Sequence, residues 1–435
     1  MPVCHLWRTG FDGVKERFMH ALEKILAAHA GVDKVCAGEI VNCDIDVAGI
    51  NDLYPQAMYS FREINGKKVA HPERVVIFLD HYAPASTIRQ AENQKQFREF
   101  AREQGIEGLM EVGQGVCHQI LADKGYSAPG RLMVATDSHT PTHGAFGAFS
   151  TGVGATDISC ILKTGKLWFR VPEIIRINLE GELPPGVFAK DAILHVIGKL
   201  GADYAIYRGV EFAGSLIKKL SIAERMTLCN MTTEMGAKAA YIQPDSITEA
   251  FLQAKNISGY TIYETDPDFI AGAEHTFDVS ELSPQIAAPS SVDHVSDLHE
   301  YAGIPVDQAF LGTCTGGRID DIALAARILK GRKISPSTRM IVVPASKNTL
   351  QKAIEKGYMQ DLIEAGCTFV TPGCAACLGT HQGLIAEGES CITSSSRNFP
   401  GRMGHKKGEI YLASPAAVAA SALTGVITDP ALYLK

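Results

Sequence analysis

The chain has 435 residues, of which 46% are hydrophobic and 20% charged, with a formal net charge of -7. That length exceeds what one hydrophobic core supports and predicts two or three domains, while the composition excludes extensive disorder. The acidic balance argues against a dedicated nucleic-acid binder, no apolar run is long enough to span a bilayer, and the N-terminus MPVCHLWRTGFDG lacks the apolar segment of a secretory signal, so a cytoplasmic protein is expected.

VKERFMHALEKILAAHAG (residues 14–31) spaces its apolar side chains at helical period and ends on glycine, which predicts a helix. RVVIFLDHYAP (74–84) predicts a buried strand with Asp80 and His81 at its C-terminal end, and NQKQFREFAREQG an amphipathic helix after it. RLMVATDSHTPTHGAFGAFSTG (131–152) repeats the pattern with a strand, then Asp137-Ser138-His139, then a Gly-rich turn. AFLGTCTGGRIDDIALAARILKG (309–331) does so again, with Cys314 at the strand end and a helix from about Asp320; RMIVVPAS and CTFVTPGCAAC predict further strands. Polar residues at strand ends, with helices between strands, predict an α/β fold of doubly wound sheets that binds ligands at the carboxyl edge. The texture changes near 173, where a strand and a Pro-Pro-Gly turn follow, and DVSELSPQIAAPSSVDHVSDL (278–298) reads as a Pro/Ser-rich linker. Three α/β units are expected: 1–173, 174–284 and 285–435.

There are 11 cysteines. In a cytosolic chain they are expected to be reduced, most of them as small buried hydrophobes. Cys374 and Cys377, in PGCAACLG, stand apart because a Gly-rich turn can present a thiolate to a metal. A redox pair would open a helix, and a four-cysteine zinc site would need a second Cys-x-x-Cys, which the chain lacks. Cys314, in GTCTGG, is the other cysteine in such a turn. Three thiolates are one short of a closed iron–sulfur or zinc site, and an open coordination position marks a catalytic metal. Redox, zinc and iron–sulfur readings all stay open on spacing alone.

The blocks VATDSHTPTHGAFGAFSTGVGATD, LGTCTGGRIDD, PGCAACLG and SSSRNFPGRMG resemble the aconitase superfamily, and within it the two-subunit isopropylmalate isomerase branch. The likeness runs almost end to end, through DHYAPASTIRQAENQKQFREFAREQGI, GKLGADYAIYRGVEFAG and ERMTLCNMTTEMGAKAAYIQPD. It implies a three-domain large subunit with a [4Fe-4S] cluster at the domain interface, held by Cys314, Cys374 and Cys377, with one iron open. It implies a hydro-lyase that removes and re-adds water on a small hydroxy-di- or tricarboxylate, as in leucine biosynthesis. Asp80, His81, His118, Asp137 and His139 match the family's polar blocks for protonating the leaving hydroxyl, and Glu211 matches a further catalytic position. Ser138, Arg397 and Arg402 match substrate-binding positions, as does Gln56; an Arg fork suits a carboxylate. An isolated histidine at a strand end often only satisfies backbone groups; three such blocks in one chain argue for a shared site. His71 and His143 are read as structural.

Three positions depart from the family's usual pattern: Gly316 and Ser396 stand where Asn is usual, and Ala375-Ala376 where Gly-Pro is usual. The swivelling domain that supplies a serine base and an arginine in single-chain members is expected on a separate small subunit. Sibling substrates (homoaconitate, 2,3-dimethylmalate, citraconate, maleate) stay open, since the partner would read the side group. A cluster-free, RNA-binding form is a remote alternative, against which the charge balance speaks.

Overall fold

A computed structural model describes residues 18–434 together with the backbone of residues 8–9 and 15–16. Three larger sheets are drawn from successive stretches of the chain. The first has five parallel strands in the order Gly108–Met110, Val75–Phe78, Val47–Asn51, Leu132–Ala135, Phe149–Gly152. The second has four parallel strands, Ala239–Ile242, Gly209–Ala213, Ile174–Glu180 and Ala273–Asp278. The third has seven: Val295–Asp297, Gln285–Ala287, Glu409–Leu412, Ser390–Thr393, Gln308–Gly312, Arg339–Val343 and Thr368–Phe369. Strands such as VVIF and RMIVV are apolar runs because helices cover both faces of a parallel sheet. Among the described residues, no helix is long and apolar enough to cross a membrane.

The strand order positions the site. In the first sheet the chain starts at Val47–Asn51, winds outward through Val75–Phe78, then returns to the other side at Leu132–Ala135. In the parallel part of the third it starts at Gln308–Gly312, winds outward through Arg339–Val343, and returns at Ser390–Thr393. Each reversal leaves a crevice beyond the carboxyl ends of adjacent strands, where ligands bind in such folds. Asp80-His81 and Asp137 lie just past the ends of their strands in the first sheet, and Cys314 and Ser396-Arg397 just past theirs in the third.

Three local expectations change. The helix predicted from residue 14 begins at Ala21: His20 is extended, its Nδ1 accepts from Leu22 N at 3.0 Å, and Asp266 draws the preceding Met19 N–H away at 2.7 Å. Lys15–Glu16 pair with Arg8–Thr9 as a short antiparallel ribbon instead. The presumed linker at 278–298 holds two strands, Gln285–Ala287 and Val295–Asp297, which form the antiparallel edge of the third sheet. The Gly-rich segment after His139 is a buried 3-10 helix, Thr140–Phe146, pinned by Thr140 Oγ1 donating to Asp137 O and Thr142 Oγ1 to His139 O, both at 2.6 Å. Gly144 is required there, because a Cβ would stand 2.1 Å from Ala240 O.

Candidate active site

The strand-end residues of the two sheets line one cavity of about 760 Å³. His81, His118, Asp137, Ser138 and His139 come from the first sheet's side, and Cys314, Cys374, Cys377, Ser396, Arg397 and Arg402 from the third's. Asp80 stands behind His81.

Asp137 is the hub. Its Oδ1 lies 2.9 Å from His118 Nε2 and 3.4 Å from His139 Nδ1, and accepts from His139 N at 2.8 Å; its Oδ2 lies 3.3 Å from His81 Nε2. Burial alone would favour the neutral acid, but the three imidazoles outweigh it and hold Asp137 well below the usual carboxylate range. His81 is clamped between two carboxylates, with Asp80 Oδ1 2.8 Å from its Nδ1. Burial opposes its charge, but Asp80, Cys374 and Asp137 together raise it well above the ordinary histidine value. Behind this pair, Asp52 accepts from His81 N at 3.0 Å and from Gln94 Nε2 at 2.9 Å, which fixes the turn that carries both residues. His118 is anchored through Nε2 alone; its buried Nδ1 has no partner among the described residues. His143, 5.5 Å from the His118 ring and bonded to Ser127 Oγ at 2.8 Å, is driven to the neutral form by burial and by His118.

A further carboxylate is Glu234. Its Oε1 lies 2.9 Å from His139 Nε2 and accepts from Arg397 Nε at 2.7 Å, and Arg397 Nη2 donates to Ser138 Oγ at 3.0 Å. One carboxylate therefore orients both a cavity histidine and a cavity arginine. Glu211, which the resemblance places at a catalytic position, is not in the cavity lining. On the strand Gly209–Ala213 its side chain turns to Arg176 Nε at 2.7 Å and His20 Nε2 at 3.5 Å, a buried polar staple between the first helix and the second sheet. Gln56, the first residue of the exposed start of helix Gln56–Glu63, also lies outside the cavity lining. Glu211→Gln is expected to leave kcat unchanged and to lower the thermal unfolding midpoint, because Arg176 loses its carboxylate at a cost of about 1–3 kcal/mol. A large fall in kcat with an unchanged midpoint would return Glu211 to the catalytic set.

The three cysteines reach the cavity from two loops. Cys314 is 6% exposed, Cys374 7% and Cys377 6%. Left-handed backbone at Thr313 (φ 64°) and Ala375 (φ 46°) turns both loops. Burial pushes the Cys314 thiol up to about 12, with Cys377 and Asp137 adding to the shift, and burial likewise raises Cys374. Such thiols ionise only for a cationic centre. The donor sets tight enough to share one ion, with ligand atoms within 4.8 Å of one another, are Asp80/His81/Cys374 and Cys117/His118/Asp137 among the described residues. The cysteine trio is not such a set, so its three sulfurs are not gathered tightly enough to share one ion. Asn230 Nδ2 donates to Cys314 Sγ at 3.4 Å, as sulfur-tuning donors do.

The aconitase family (aconitate hydratase) profile matches residues 23–303 and 298–425. The chain belongs to the aconitase family. It is 47% identical to the 3-isopropylmalate dehydratase large subunit 1 of Methanopyrus kandleri, over 95% of this chain and 99% of that one. It is 50% identical to a probable methanogen homoaconitase large subunit of Methanosarcina mazei, over 89% and 98%, and 44% identical to the Aquifex aeolicus 3-isopropylmalate dehydratase large subunit, over 96% and 98%. In fold it is similar to Thermococcus kodakaraensis aconitase X, with a TM-score of 0.50 at 13% identity over 87% of this chain and 89% of that one. Family membership makes this chain a hydro-lyase.

The three departures from the usual family pattern have local accounts. At Gly316 a Cβ would stand 2.1 Å from Ser394 Oγ, so the loop packs where a side chain would go. Ser396 Oγ lies 3.0 Å from His139 Nε2 and joins Glu234 on that nitrogen. Ala375 takes a left-handed conformation that glycine adopts at lower cost.

Proposed function

We propose that this chain is the large subunit of a two-subunit iron–sulfur hydro-lyase that interconverts 2- and 3-isopropylmalate by loss and re-addition of water, in leucine biosynthesis in the cytoplasm. One observation carries the reading: a single cavity joins three buried thiols, three histidines fixed by carboxylates, and two arginines. The names of the relatives support the substrate class and the small-subunit partner, which we take to carry the swivelling domain. We take 1–173, 174–284 and 285–435 as its three domains.

Cys314, Cys374 and Cys377 would hold a [4Fe-4S] cluster whose one iron without a protein ligand supplies a Lewis acid for the substrate's hydroxyl and carboxylate. The chain's own residues do the rest. Arg397 and Arg402 bind carboxylates, and Arg402 Nε is buried without a partner among the described residues, free for that task. Ser138, holding Arg397 Nη2 at 3.0 Å, keeps that fork aimed. A histidine of the Asp137 hub gives its proton to the departing hydroxyl, which leaves as water, and takes it back on rehydration. His118 suits this, since Nε2 is held by Asp137 while Nδ1 is unpartnered. The base that removes the carbon-bound proton belongs to the small subunit.

The test is anaerobic co-expression with the small subunit encoded in the same genome. Iron and sulfide are counted, electron paramagnetic resonance is recorded before and after brief oxidation, and the absorbance of the unsaturated intermediate is followed with each hydroxy-acid. About four irons per chain, as an open cluster of this type requires, with turnover of 2-isopropylmalate ahead of homocitrate, is the expected result. Turnover of homocitrate alone would move the chain to the homoaconitate reading, which the 50% identical relative favours. Absence of iron and sulfide would overturn the reading.

A further inference from the structure

Behind the cysteine loops lies a charge that the proposed chemistry does not use. Lys190, in the first turn of helix Ala189–Leu200, is 2% exposed. Its Nζ donates to Ser395 O at 2.7 Å and Ser394 O at 3.1 Å, and touches Met231 Sδ at 3.6 Å. It has no ion pair with a carboxylate among the described residues. A buried ammonium held only by carbonyls is costly and needs a compensating anion. Lys190 Nζ shares Ser394 O with Thr315 Oγ1, the residue after Cys314, so the ammonium stands behind the loop that carries this cysteine, where burial pulls it down to about 8. Thiolates on that loop would supply the anion the ammonium lacks.

The two carbonyls are also placed with a purpose. Ser394 O accepts from Thr315 Oγ1 at 2.8 Å, and Ser394 Oγ from Gly312 N at 3.0 Å, so Ser394 joins the Cys314 loop to the turn leading into Ser396 and Arg397. Lys190, from the second sheet's helix, braces that junction from outside both loops.

We propose that Lys190 is a positioning residue with two separable roles: its N–H groups fix the Ser394–Arg397 turn and so aim Arg397, and its charge offsets the thiolate-bound cluster. This rests on the iron–sulfur reading above. Removing a nearby buried cation disfavours the reduced, more negative cluster, so its potential falls and oxidative iron loss becomes easier.

Three variants of the complex with its small subunit separate the roles. Lys190→Arg keeps donors and charge, Lys190→Gln keeps donors without charge, and Lys190→Met keeps neither. The readouts are cluster midpoint potential by redox titration, half-life of the four-iron form in air, and KM against kcat. Lys190→Gln and Lys190→Met are expected to shift the potential negative and shorten the half-life, with Lys190→Arg close to wild type. Lys190→Met alone is expected to raise KM, by about tenfold, as Arg397 drifts. A potential and half-life unchanged in Lys190→Gln would overturn the charge role, and an unchanged KM in Lys190→Met the aiming role. If Lys190→Met does not fold, Lys190→Gln still decides the first point, and the KM of Lys190→Leu, a second side chain without donors, decides the second. Wild type without iron would instead sink the reading this proposal rests on.

Discussion

Asp137→Asn is expected to lower kcat by about a hundred- to ten-thousand-fold, with secondary structure intact. The substitution is nearly isosteric, but it removes the one negative charge that all three cavity histidines share. His118 loses the acceptor that fixes its tautomer, because an amide presents one acceptor atom where the carboxylate presented two. The proton-bearing nitrogen then ceases to be determined. KM should change little, since Arg397 is held by Glu234 and Ser138, not by Asp137. The acid limb of stability should change too. Asp137 is depressed in the folded state, so its contribution is present above about pH 4, its unfolded value, and is lost as pH falls through the folded value. The Asn variant lacks that term, so its stability should fall less steeply in acid. A kcat within about threefold of wild type would show that the hub is structural and that proton transfer runs elsewhere.

The residues legible in the sequence are those whose local signal and place at the cavity coincide. Cys314, Cys374 and Cys377 sit in Gly-rich turns after strands, which is both a visible pattern and the cause of their exposure to the cavity. Asp80, His81 and Asp137 are polar groups abruptly ending apolar runs, and the fold puts such positions at the crevice. Glu234 was missed because it sits in a short 3-10 turn, Thr232–Met235, after a helix, where a glutamate reads as solvated surface. Only its place in NMTTEMG, closed by the left-handed Gly236, set it apart. Glu211 is pointed to by the resemblance alone: a strand covered on both faces shows no alternation, so nothing in GVEFA says which way its side chain points. Lys190 and Asp52 act through main-chain contacts distant in sequence, which no spacing encodes. The strands hidden in 278–298 pair partly with Leu412, again a non-local decision.

Cys374→Ser is expected to lose most of its iron and to lower activity at least about a thousandfold, since binding and residual side-chain chemistry cannot replace the Lewis acid. The change should not unfold the chain. Cys374 N still donates to Asp80 O, 3.0 Å away, and a hydroxyl fits where the thiol stood. The demanding control is Cys117→Ser. Cys117 is 1% exposed, shares one apolar cluster with Cys314 and Cys374, and donates its N–H to Asp80 Oδ2 at 2.8 Å. It is a buried thiol in the same surroundings but outside the cavity lining. If the open-iron reading holds, Cys117→Ser keeps its iron and still loses one iron on brief oxidation, whereas Cys374→Ser has little to lose. If Cys117→Ser also fails to hold iron, four thiols close the site. The position proposed for the substrate's hydroxyl is then occupied, and Asp137, His118 and Arg402 surround a cluster that does not touch substrate.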